Sequence, residues 1–103
     1  MSTPTRMRAM TKDGVTDVRL LMTHPMDSGL RKDAAGKPVA KHYITEVGAT
    51  LNGRTVLSAK WSVAVSQDPF LWFRVRGAKP GDKLAVTWRD NTGDSRSDEL
   101  VLS

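Results

Sequence analysis

The chain of 103 residues contains no cysteine. That absence excludes disulfides, thiolate metal sites, cysteine nucleophiles and any thiol-borne intermediate on this chain. Aromatic residues make up only 6% of it. No apolar run approaches the ~18 residues that a membrane-spanning helix needs. The stretch from Met1 to Gly14 is basic but has no apolar centre, so no secretory signal is expected of it. Neither a GxGxxG nor a GxxxxGK[ST] element occurs, and Gly29, Gly36 and Gly53 do not form a phosphate loop. No stretch shows the helical period.

What is present describes an ordinary globular chain: 39% hydrophobic and 26% charged residues. The length fits one domain spanning residues 1–103. A net charge of +5 favours acidic partners. Its cations are spread along the chain, which first describes a solvated surface.

Apolar and polar residues alternate in short runs separated by turn residues. Arg6 to Met10 predicts a first strand, ended by Lys12-Asp13-Gly14. Val18, Leu20 and Met22 share one face of the next, while Leu21 reads as a break in the alternation. Val47, Ala49 and Leu51 repeat the period of two and lead to Asn52-Gly53. Asn-Gly between alternating runs predicts a hairpin, because both residues tolerate positive φ in a type I′ turn. Arg54 to Trp61 is then the returning strand, with Val56 expected opposite Ala49.

Pro69 to Arg76 is the most strand-prone run. Leu71, Phe73 and Val75 share one face; Phe70, Trp72, Arg74 and Arg76 share the other. Lys79-Pro80-Gly81-Asp82 and Asn91-Thr92-Gly93-Asp94 are turns. Leu84, Val86 and Trp88 form a further apolar face, and Glu99 to Leu102 a last short strand. About seven strands without a helix predict an all-β, immunoglobulin-like antiparallel β-sandwich.

One segment resists this pattern. Thr23 to Ile44 holds both histidines and the tightest cluster of cations. Connections longer than ~12–15 residues are uncommon in compact domains and tend to be functional or disordered. His24, Met26 and His42 could form a soft copper site, since imidazole and thioether suit copper. Against this stands a loop histidine that merely caps backbone. His42 with Asp33, or His24 with Asp27, could make an acid–base pair, but nothing in the sequence supplies a cleft. Ser28 lacks an elbow motif. Arg31, Lys32, Lys37 and Lys41 make the segment net positive even with Asp27 and Asp33, suiting an anionic ligand or an acidic surface. Tyr43 is its only aromatic residue, which argues against single-stranded nucleic acid.

Phe70 and Trp72 fall on the face of their strand that should meet water. That leaves two readings: an exposed apolar patch for a partner, or a face covered by the long segment folding back.

Several motifs of the chain resemble the SoxZ family. They are His24-Pro25-Met26, Gly29, Arg31-Lys32-Asp33, Gly36-Lys37-Pro38-Val39 and Tyr43-Ile44, followed by Asp68-Pro69-Phe70 and the turn Trp88-Arg89-Asp90-Asn91-Thr92-Gly93. The order holds from about Arg6 to the C-terminus. Asp68 departs from the pattern, where Asn is usual.

The resemblance implies an immunoglobulin-like fold and a non-catalytic subunit of the SoxYZ carrier of bacterial thiosulfate oxidation. It implies a heterodimer with SoxY, whose cysteine bears the sulfur intermediates, and transient contact with other Sox enzymes. No cofactor, metal, nucleic acid or membrane is expected. Location would be periplasmic, by co-export with a signal-bearing partner. Tyr43, Ile44, Phe70, Trp72 and Arg74 are the candidate partner contacts. Arg31, Lys32 and Lys37 are candidates for docking anions or pathway enzymes. Without SoxY, an uncovered patch would favour homo-oligomers.

Overall fold

The computed structural model describes residues 3–102. The outermost residues of the expected domain, 1, 2 and 103, lie outside that range. The described residues hold seven strands and no helix: β1 (Arg6–Lys12), β2 (Val15–Leu21), β3 (Ile44–Leu51), β4 (Arg54–Lys60), β5 (Phe70–Arg76), β6 (Lys83–Asp90) and β7 (Ser95–Val101). They form two antiparallel sheets in the orders β1-β2-β5 and β4-β3-β6-β7. The chain changes sheet between β2 and β3, between β4 and β5, and between β5 and β6, giving a β-sandwich of immunoglobulin type.

Local chemistry sets the two tight hairpins. Asp13 and Gly14 have φ of 54° and 76°, and Asn52 and Gly53 have 50° and 84°. Paired positive φ matches the twist of adjoining strands, as type I′ turns require. Asn52 also accepts the Lys83 N–H through Oδ1 at 2.9 Å, tying the turn to the start of β6.

Two details differ from the sequence reading. Ala49 pairs with Leu57 and Thr50 with Thr55, so Val56 is the extra residue of a β-bulge rather than the partner of Ala49. Leu21 does not break the alternation. It faces outward opposite Phe70, while Thr16, Val18 and Leu20 face the core.

The inner faces build one core. Val18, Leu20 and Met22 meet Ile44, Val47, Leu84, Val86 and Trp88, all at most 2% exposed. Fully burying a side chain such as Leu20 contributes about 1.5–3 kcal/mol. The outer faces then decide what the molecule presents.

A candidate docking face and a pinned arm

The segment between β2 and β3 is not a structureless loop. Asp27 and His42 exchange backbone hydrogen bonds of 2.6 and 3.0 Å, and Val39 donates to Arg31 O at 2.8 Å. Asp33 N donates to Lys37 O, and the Asp33 carboxylate accepts from Ala35 and Lys37 N–H. The result is a narrow two-stranded arm with an Asx-type tip. Residues 30–38 on it are all exposed. The arm leaves Phe70 and Trp72 uncovered, at 60% and 51% exposure. The reading in which the long segment folds back over the β5 face is thereby excluded.

Three separated residues meet at the base of the arm. His24 Nε2 lies 3.1 Å and His42 Nε2 2.9 Å from the same oxygen, Asp90 Oδ2. The other oxygen, Oδ1, accepts Thr92 N–H, Thr92 Oγ1–H and Asp94 N–H at 2.7–3.0 Å. Five donors therefore converge on one carboxylate that is 4% exposed. Burial alone would push this carboxyl up. The hydrogen bonds from Thr92, His24 and His42 outweigh it and hold the pKa down at about 2.

Backbone geometry sets the proton on His24. Met26 N–H donates to His24 Nδ1 at 3.1 Å, so Nδ1 is the acceptor and Nε2 carries the hydrogen that Asp90 receives. The imidazole stacks edge-on against His42 and Trp88, with centroids 4.6 and 5.2 Å away. A cleft of about 350 Å³ borders the group, lined by His24, His42, Asp68, Trp88 and Asp94 among others.

The imidazole nitrogens and the carboxylate lie within 4.8 Å of one another, close enough to share a metal ion. The cluster differs in one member from the alternative copper set of His24, Met26 and His42: Met26 Sδ faces Ile44 N–H at 3.2 Å, and Asp90 takes the third place. A ligating histidine usually donates its second N–H outward. His24 cannot do so, because its Nδ1 receives a backbone N–H. This chemistry suits a hydrogen-bonded pin better than a metal centre.

The second feature is the outer face of β1-β2-β5. Strand register sets its side chains in four rows: Arg6–Leu21–Phe70, Arg8–Arg19–Trp72, Met10–Asp17–Arg74 and Lys12–Val15–Arg76. Six of these side chains are cationic and one, Asp17, is acidic. Trp72 Nε1–H donates to Asp17 Oδ2 at 2.8 Å. Arg19 Nε lies 3.3 Å from Asp17 Oδ1, and Arg74 Nε 3.6 Å from Oδ2. Both guanidinium carbons lie over the indole, 4.8 and 5.6 Å from its centroid. The Trp72 hydrogen bond, followed by the Arg19 and Arg74 charges, holds the Asp17 carboxyl below its usual value against slight burial.

The remaining candidates divide sharply. Tyr43 is half-buried at the foot of the arm. Ile44 is 0% exposed and belongs to the core, so it offers no partner contact. Arg31 grips Asp27 with two hydrogen bonds of 2.7 and 3.2 Å, so its charge is matched locally rather than held free for an anion. Lys32 and Lys37 stay exposed, with no ion pair among the described residues. Asp68 has φ of +50°, a region where Asn and Asp are enriched, and its Oδ1 accepts His24 N–H at 3.1 Å. Asn supplies the same oxygen, so the departure at this position keeps the contact.

Residues 5–101 match the family model described as "Sulphur oxidation protein SoxZ". The chain belongs to the SoxZ family. No curated protein matches it closely. SoxZ membership identifies a sulfur-oxidation protein and accounts for the ordered motifs of the arm. Two residues central to these clusters escaped the sequence reading. Asp90 read only as part of a turn, although Asp two places before Thr in such a turn signals an Asx cap. Asp17 carries no role there, since nothing local sets it apart from any polar position of an alternating strand.

Proposed function

We propose that this chain is the non-catalytic subunit of a sulfur carrier, a heterodimer with a cysteine-bearing SoxY-like subunit. In this role it supports presentation of the cysteine-bound sulfur intermediates to the enzymes of thiosulfate oxidation. Having no cysteine, it leaves the covalent chemistry to the partner. Phe70, Trp72 and Arg74 dock the partner, with Tyr43 at the edge. The complex works in the periplasm, reached by export together with the signal-bearing partner.

The observation that carries the reading is the exposure of Phe70 and Trp72 on an ordered strand. Large apolar rings on the outer face of a sheet mark a partner surface. SoxZ membership supports reading that partner as a sulfur-carrier subunit.

Trp72→Lys should weaken heterodimer formation at least tenfold, about 1.4 kcal/mol, measured by calorimetry with the purified SoxY-like subunit. An unchanged dissociation constant would remove β5 from the interface.

A further inference from the structure

The four-row outer face is organised, not merely charged. Asp17 holds three groups at once: the Trp72 indole and the Nε atoms of Arg19 and Arg74. Among the described residues, the terminal nitrogens of both guanidinium groups make no hydrogen bond. They are held side by side over one ring, with their bidentate edges open. Beside them runs a groove of about 610 Å³ that includes Arg8, Met10, Lys12 and Val15 in its walls. Leu21 and Phe70 form the apolar end of the same face.

We infer that this face recognises an acidic protein surface whose carboxylates pair with Arg8, Arg19 and Arg74 and whose apolar side chains pack on Leu21 and Phe70. The inference rests on the heterodimer reading and names the chemistry that the cysteine-bearing partner must present. Charge complementarity selects the occupant: six cations stand against a single acid. A second copy of the chain would set six cations against six. Single-stranded nucleic acid needs open rings for stacking, and the Trp72 ring already carries two guanidinium groups. Four rows at two-residue spacing extend over about 20 Å, which suits a protein surface rather than a small anion.

Asp17 is then a positioning residue, and its removal separates two kinds of attraction. Asp17→Asn makes the face one unit more positive. Were the field alone responsible, binding to an acidic partner would tighten. If Asp17 holds the arginines and Trp72 ready, binding weakens, because the ordering falls on the encounter.

Surface plasmon resonance with the purified cysteine-bearing partner reads both. Asp17→Asn should weaken affinity about three- to tenfold through faster dissociation, with an association rate unchanged or raised. Arg8→Glu, on an exposed edge position, should weaken it through slower association and reduce its salt dependence. Circular dichroism establishes that both variants fold. Tighter or unchanged binding by Asp17→Asn overturns this inference while leaving the heterodimer intact. Failure of the wild-type chain to bind the partner at all overturns the heterodimer reading, and this inference with it. Self-association at low salt, or equal affinity for a labelled single-stranded oligonucleotide, would assign the face to another occupant.

Discussion

Replacing Asp90 with Asn should destabilise the protein by about 3 kcal/mol. The carboxylate takes five donors on two oxygens. Asn has one carbonyl oxygen, so either the turn donors or the two imidazoles lose their acceptor. His42 is partly exposed and can turn to water. His24, at 3% exposure, cannot, and a tautomer flip would set its Nδ1–H against Met26 N–H. An unpaired buried donor costs about 1–3 kcal/mol. The pKa of about 2, against an ordinary 3.8, expresses the same hydrogen bonds as an ionised-state contribution of about 2–3 kcal/mol. A depressed folded pKa means that the unfolded chain binds more protons in this window. The contribution is complete above about pH 4 and is lost as pH falls from 3.8 toward 2. Urea titration of wild type and Asp90→Asn from pH 7 to pH 2.5 measures it. The difference should be largest at pH 7 and shrink below pH 4, with a melting temperature lower by roughly 10–20 °C at neutral pH. A difference below about 1 kcal/mol at pH 7, or one that does not change with pH, would refute the five-donor account.

Two further outcomes test the arm. Calorimetric titration with copper or zinc should show no one-to-one site, because His24 Nδ1 already receives Met26 N–H; stoichiometric binding that disappears in His42→Ala would overturn the pin. Lys32→Glu combined with Lys37→Glu should slow turnover of a reconstituted thiosulfate-oxidising system about twofold or more at low salt and flatten its salt dependence; an unaltered rate would remove the arm tip from docking.

The strands and tight turns were legible because their causes are local. Alternation marks a face, and Asn52-Gly53 marks its hairpin whatever surrounds it. The bulge at Val56 was not, since an extra residue leaves no compositional trace. The arm read as a loop because its cross-links at Asp27 and His42 are backbone bonds that almost any side chains permit. The pin was hidden by distance: Asp90 is 48 residues from His42 and 66 from His24. For the outer face, alternation placed Phe70, Trp72, Arg74 and Arg76 together. Register was needed to add β1 and β2, and with them most of the charge.

The pin and the docking face are mechanically one unit. His24 does more than meet Asp90: its N–H donates to Asp68 Oδ1, and Asp68 N–H returns a bond of 2.9 Å to His24 O. Met22 N–H adds a bond of 3.0 Å to Pro69 O. Asp68 and Pro69 lead directly into Phe70, the apolar end of the outer face. The arm base, the turn after β6 and the start of β5 are therefore tied through one residue, His24, whose imidazole meets Asp90 and whose main chain meets Asp68. A partner seated on Leu21 and Phe70 meets an arm whose root is already set, so little ordering is left to oppose binding. The buried carboxylate of Asp90 holds the root of the arm rigid.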